Sequence, residues 1–120
     1  MVLARRKSTV PPLPDCASAA CPLQQCMDLL GGAWTPNIVW KLSGEPRRFS
    51  ELRGDIANIS AKMLSARLKD LAEKGVVRRT VIDTSPPTVE YALTDLGREL
   101  LPVIEVIESV GRKLAGSAAR

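Results

Sequence analysis

Cys16, Cys21 and Cys26 lie close together near the start of the chain, and thiol chemistry is the first chemistry that the sequence offers. A thiolate is a nucleophile and a metal ligand, and two thiols can be oxidised to a disulfide. Cys21 precedes Pro22 at the predicted start of a helix, where unpaired N–H groups favour the thiolate, and the preceding arm leaves it accessible. We therefore predict that Cys21 is the reactive thiol, that Cys26 is a buried small hydrophobe and that Cys16 reacts slowly.

Three other interpretations of the cysteines remain open. Cys16, Cys21 and Cys26 could hold zinc together with Asp15, although their spacing is not the C-x2-C typical of zinc sites, and we predict no metal site. Cys21 could instead be packed against a dimerisation helix. In the third interpretation the cysteines are structural and a small-molecule ligand occupies an apolar pocket near the two tryptophans.

The sequence contains no histidine, which excludes Ser-His-Asp and Cys-His catalysis and any histidine-bearing zinc site. The carboxylates are scattered along the chain, and no nucleophile has a base beside it. We predict that the protein is not an enzyme, has no catalytic residues and needs no cofactor.

Basic side chains are the second group with an evident chemistry. The formal net charge is +4 and the pI is near 9.3, and the basic residues gather in short clusters that suit a polyanion. Two tryptophans, one tyrosine and one phenylalanine are too few for a platform on which single-stranded bases stack. This argues against single-stranded nucleic acid as the partner and leaves duplex DNA as a candidate.

Residues 60–74 are predicted to form the helix that positions most of these basic groups. Ser60 is a natural N-cap, and Gly75 stands where a left-handed residue ends a helix. The core face is marked by Leu64, Leu68 and Leu71. The outer face carries small and basic side chains, which let a helix enter the major groove and reach phosphates or base edges. A solvated helix face is the alternative interpretation.

Residues 76–82 and 88–93 are rich in β-branched residues and are separated by a turn, 83–87, that cannot continue a strand. They predict a two-stranded hairpin, in which Arg78 and Arg79 lie on opposite faces, so that only one of them can point towards a given partner. A short helix before residue 58 precedes the central helix. This order predicts an α+β, mostly α, winged helix-turn-helix, with residues 1–20 as a flexible arm and 21–116 as the domain.

We assign candidate DNA contacts to the central helix, the hairpin and the preceding turn. They are Ser60, Lys62, Ser65, Arg67, Lys69, Arg78, Arg79 and Arg48.

The remaining elements are predicted from caps and prolines. Pro22 opens a helix that ends at Gly31-Gly32, and Thr35 caps a second helix that ends near residue 43, with both tryptophans in packing roles. Residues 45–48 are predicted to be a turn, and Ser50 to cap the short helix.

Thr94 is predicted to cap a long final helix with more apolar surface than so small a domain can easily bury. A homodimer interface would cover that surface, and packing within the same chain is the alternative. We assign dimerisation to Leu100, Val103, Ile107 and Val110.

No apolar run approaches the length needed to span a bilayer, and the first 14 residues lack the apolar core of a signal peptide. We therefore expect a cytoplasmic protein without a membrane partner, whose thiols are reduced at rest.

Several segments together resemble the HxlR family of bacterial winged-helix transcription regulators, which are MarR-like. They are CPL at 21–23, LLGGAW at 29–34, PRRFSEL at 46–52, ISAKML at 59–64, RLKDL at 67–71 and PPTVEYALTDLG at 86–97. The resemblance covers nearly all of residues 21–110. Ala33 departs from it, because the family commonly has lysine in GGKW.

The resemblance implies a homodimeric DNA-binding repressor or activator with a palindromic operator. It also implies that oxidants or electrophiles such as quinones and aldehydes act through Cys21. Cys16 and Cys26 are not part of the shared pattern.

Overall fold

The computed structural model describes residues 21–118, with side chains described to residue 116, and the predicted arm at 1–20 lies outside that range. The described residues divide into two compact units, one that ends at Gly31 and one that begins at Gly32. The described part of the first unit holds helix α1, Pro22–Leu30. The second unit holds α2 (Thr35–Lys41), β1 (Arg47–Arg48), α3 (Phe49–Asp55), α4 (Ala61–Glu73), β2 (Val77–Ile82), β3 (Thr88–Leu93) and α5 (Asp95–Ala118).

Helix α2 begins at Thr35, so the prediction that Thr35 caps it is wrong. Trp34 occupies the N-cap position with a left-handed φ of 70°, and the helix ends at Lys41. The inner face of α2 is fully buried at Ile38 and Val39. Trp40 points the other way and is 41% exposed, so it does not have the core-packing role predicted for it.

The predicted turn at 45–48 contains a short strand instead. Arg47 pairs with Tyr91 and Arg48 with Glu90, so the sheet has three antiparallel strands in the order β1-β3-β2 rather than two. A strand of two residues is too short for hydrophobic alternation to reveal it. The α3 cap also differs from the prediction, because the Glu51 carboxylate accepts a hydrogen bond from the Arg48 N–H at 2.9 Å while Ser50 lies inside the helix.

Helix α4 agrees closely with the sequence. The Ser60 Oγ accepts a hydrogen bond from the Met63 N–H at 3.0 Å, which satisfies one of the unpaired donors of the first turn. Gly75 follows the helix with a φ of +76°, a conformation that suits glycine. The three leucines of the inner face have no exposed surface: Leu64, Leu68 and Leu71.

Strands β2 and β3 form the predicted hairpin, with β2 starting one residue later than expected. Val77 pairs with Leu93 and Arg79 with Tyr91. Cross-strand partners share a face of a sheet, so these four residues lie on one face. Val77, Tyr91 and Leu93 are buried, so this is the buried face of the sheet. Arg78 lies on the other face.

Helix α5 begins as predicted, because the Thr94 Oγ accepts a hydrogen bond from the Gly97 N–H at 3.1 Å. It continues through Pro102 and packs against α2. Within residues 21–118, no helix is both long enough and apolar enough to cross a membrane.

Candidate nucleic-acid interface

The outward face of α4 carries the small and basic side chains that the sequence assigned to it. Ser60, Lys62, Ser65 and Lys69 are exposed. Arg67 is half-buried, and its Nε is shielded from solvent without a hydrogen-bond partner among the described residues. The structure therefore presents two lysines and two serines on this surface, with Arg67 at its flank.

Arg79 joins this surface from the wing. Together with Ser65 and Lys69 it lines a depression of about 500 Å³ between α4 and the sheet, whose floor includes Leu68 and Tyr91. Glu73 also lines the depression and places one carboxylate beside the two cations. The α4 face is defined here as Ser60, Lys62, Ser65, Lys69 and Arg79.

Arg48 and Arg78 lie elsewhere. Both Arg48 and Thr80 pair with Glu90, and Arg78 shares the face of Thr80 because it is two residues away on the same strand. These two arginines therefore occupy the face of the sheet opposite Arg79. The structure divides the predicted contacts into one group on the α4 face and a second group on the outer face of the wing.

The cations of the α4 face have no acidic partner within the described part of the chain. Between residues 21 and 116, no ion pair involves Lys62, Lys69 or Arg79. By contrast, Lys74 binds Asp70 at 3.2 Å and Arg112 binds Glu108 at 2.7 Å. Unpaired, exposed cations on a helix are suited to replacing the counterions of a phosphate backbone.

Arg47 has a structural role that its sequence cluster did not reveal. Its guanidinium lies 3.5 Å from the Glu45 carboxylate and 3.6 Å from that of Asp55. Arg47 therefore ties β1 to the end of α3, whereas its neighbour Arg48 stays exposed. The two arginines have different roles because consecutive residues of a strand point to opposite faces of the sheet.

Cys21 is 2% exposed and takes part in a disulfide bond, so the structure does not show the accessible thiol that we expected. Its partner lies outside the described residues, as does Cys16. Cys26 is a free thiol and is half-buried rather than fully buried. In the part of the chain that the structure describes, no group of three or more Cys, Asp or Glu could hold a metal ion. Asp15 lies outside that part.

The predicted dimerisation residues divide into two groups. Leu100 is 8% exposed and belongs to the core of its own chain, so its assignment to a dimer seam is corrected. The others are exposed and share a stripe of α5 that Val106 and Leu114 extend. The α5 stripe is Val103, Val106, Ile107, Val110 and Leu114.

Comparison with known proteins gives a consistent result. Residues 29–118 match the family of HxlR-like helix-turn-helix proteins. The HTH-type transcriptional regulator YvaP of Bacillus subtilis is 41% identical over 88 residues, which are 72% of this chain and 82% of YvaP.

Solved structures of regulators share the fold as well. The oxidised form of the redox regulator HypR has a TM-score of 0.71 and 33% identity over 78% of this chain and 96% of its own. The reduced form of the transcriptional regulator YodB from B. subtilis has a TM-score of 0.67 and 37% identity over 74% of this chain and 88% of its own. With its winged helix-turn-helix fold and these relatives, the chain belongs to the HxlR-like helix-turn-helix family and is a DNA-binding transcriptional regulator.

Proposed function

We propose that the protein binds a palindromic operator as a homodimer through its α4 face, and that thiol oxidation at Cys21 controls this binding. The observation that carries the DNA contact is the set of unpaired cations on α4 and the wing. Lys62 lies in the first turn of α4, the part of a recognition helix that approaches base edges. Lys69 and Arg79 lie further along and bind phosphates, while Ser65 lets the helix approach the groove closely.

In this proposal the outer arginines, Arg48 and Arg78, contribute less to DNA affinity than the α4 face does. They lie on the other face of the sheet and can reach only a flanking phosphate when the α4 face is in the major groove. Arg67 supports the helix from its flank.

The α5 stripe supports the homodimer. Five exposed apolar side chains on one side of a helix are an unfavourable surface for a monomer, and a second copy of the same stripe would cover them. Two recognition helices about one turn of DNA apart, roughly 34–36 Å, would then read the two halves of a palindrome.

The disulfide at Cys21 supports the redox control, as does the similarity to HypR, which is described as a redox regulator. We propose Cys16 as the second thiol, because the sequence has three cysteines and Cys26 is free. Oxidation of the two thiols forms one S–S bond and releases two protons and two electrons. Hydrogen peroxide, as the oxidant, takes up the two protons and two electrons and becomes two molecules of water. Electrophiles would act on the reduced protein, where the Cys21 thiolate adds to a quinone or aldehyde carbon.

The zinc interpretation is less compatible with the structure, because a sulfur in a disulfide is not a thiolate ligand. A cytoplasmic location fits the redox proposal, since thiols are kept reduced there until an oxidant appears.

The test compares Cys21→Ser with Cys26→Ser on the DNA region upstream of the protein's own gene. We expect the wild type and Cys26→Ser to change their DNA affinity at the same oxidant dose, because Cys26 is not part of the proposed Cys16–Cys21 disulfide. Cys21→Ser should keep the affinity of the reduced protein at every dose. Release of DNA by oxidised Cys21→Ser at the wild-type dose would contradict the assignment.

A further inference from the structure

An open groove of about 810 Å³ lies in the second unit, between α2, the segment after α3 and α5. Its volume is in the range of small-molecule sites. Trp34 and Trp40 form much of one wall, and Ile104 and Ile107 contribute the wall on α5. Two indoles and two isoleucines make a surface suited to a flat or bulky hydrophobic molecule.

Both signs of charge line the groove. Its charged residues are Lys41, Arg112, Asp55, Glu105 and Glu108, and Arg47, from outside the lining, forms an ion pair with Asp55. Because Glu108 is paired with Arg112, the charges of the groove without an ion pair among residues 21–116 are those of Lys41 and Glu105.

The carboxylates of the groove differ in their partners. Both oxygens of Glu108 accept hydrogen bonds from Arg112, at 2.7 and 2.8 Å, and Asp55 is held by Arg47 at 3.6 Å. Glu105 has no ion pair or hydrogen bond among residues 21–116. Its charge is available to a ligand.

The carboxyl end of α3 lies at the groove, because Asp55 is the last residue of that helix. Helix α2 lines the groove from its N-cap, Trp34, to its last residue, Lys41, so its dipole favours neither sign of charge. A helix carboxyl end carries partial negative charge, and the faces of indole rings attract cations. The α3 end and the two indoles therefore favour a cation.

We propose that this groove binds aromatic organic cations, with the rings packed against Trp34 and Trp40 and the positive charge facing Glu105. This effector site goes beyond redox control at Cys21 and does not depend on it. Ile107 lies both in the groove and in the α5 stripe, so a ligand in the groove lies next to the proposed dimer interface.

The two tryptophans of the groove are the only ones in the sequence, so intrinsic tryptophan fluorescence reports directly on this site. The test titrates the full-length protein with tetraphenylphosphonium and with tetraphenylborate, which have nearly the same shape and opposite charge. We expect saturable quenching by the phosphonium and at least tenfold weaker binding of the borate. The chain's positive net charge favours the borate, which makes this a demanding comparison.

Two variants identify the groove as the binding site. Glu105→Gln should weaken phosphonium binding at least fivefold and leave borate binding the same or tighter. Glu99→Gln is the control, because it removes a carboxylate from the same helix at an exposed position outside the groove. Equal affinity for the two ions, or a Glu105→Gln variant that binds like the wild type, would overturn the proposal.

A second copy of the chain is the other possible occupant. In that case neither ion would change the fluorescence of the wild type, while the monomeric variant Val103→Asp, Ile107→Asp would differ from it in tryptophan emission. That result would also overturn the proposal.

Discussion

Thr94 caps α5, and Gly75 follows the end of α4. The Thr94 hydroxyl donates a hydrogen bond to the Gly75 carbonyl oxygen at a distance of 2.5 Å. The Thr94 N–H also donates to the carbonyl oxygen of Val76 at 3.1 Å, and the Val76 N–H donates to that of Leu71 at 2.9 Å. The end of α4 and the start of α5 are therefore joined by direct hydrogen bonds.

The first prediction concerns the Thr94 hydroxyl. Thr94→Val should lower the free energy of unfolding by about 1–3 kcal/mol, because it removes an N-cap and leaves the Gly75 carbonyl without its donor. Thr94→Ser keeps the hydroxyl and should lose less than half as much. Urea unfolding followed by circular dichroism measures both. A Thr94→Val variant as stable as the wild type would show that the junction contributes little.

Gly97 is the subject of the second prediction. A Cβ at this position would clash with the carbonyl oxygen of Val76, which is backbone and cannot rotate away. Gly97→Ala should therefore destabilise the protein by about 1–3 kcal/mol, as overpacking does elsewhere.

Gly111→Ala is the matched control for Gly97→Ala. It lies on the same helix with nothing within 4 Å of the added Cβ, and alanine should stabilise the helix by up to about 1 kcal/mol. Thermal unfolding of the two variants should shift in opposite directions. If both variants shift upward, the close contact between α5 and the turn after α4 does not exist in solution.

The sequence predicted α4, the hairpin and the start of α5 because each has strong local markers. Ser60, Gly75 and Thr94 mark element ends through their side chains or their backbone freedom, and the α4 leucines give a clear period. The separation of Arg78 from Arg79 also followed from strand alternation alone.

Other features depend on tertiary pairing and could not be predicted from local pattern. Strand β1 exists because Arg47 and Arg48 pair with β3, which lies more than 40 residues further along the chain. The same pairing places Arg47 where it forms an ion pair with Asp55. Leu100 and Ile107 have similar positions in the apolar pattern of α5, and only the packing of the helix shows that Leu100 is buried and Ile107 is 52% exposed.

The third prediction places charge in the α5 stripe. Replacing Val103 and Ile107 together by Asp should give a monomer, because a dimer would have to bury two unpaired carboxylates. The monomer should also lose operator affinity, since one recognition helix can read only half of a palindrome. Sedimentation velocity gives the mass, and a binding assay on the same sample gives the affinity.

The control for the stripe variant carries Asp at positions 109 and 116. Ser109 and Gly116 are exposed on another side of α5, so this variant adds the same charge while leaving the stripe intact. It should remain dimeric. A folded Val103→Asp, Ile107→Asp variant that sediments as a dimer would remove the interface from this stripe.

The fourth prediction tests the α4 face, on which the account depends most directly. Operator affinity is measured as a function of salt for the wild type, for Lys62→Ala with Lys69→Ala, and for Lys41→Ala with Lys113→Ala as a control of equal charge. Each phosphate contact contributes about one unit to the slope of log K against log salt. The account predicts that the α4 variant binds more weakly, with a slope reduced by about one unit through the lost phosphate contact of Lys69, while the control keeps the wild-type slope. A wild-type slope and affinity in the α4 variant, or an equal loss in the control, would contradict it.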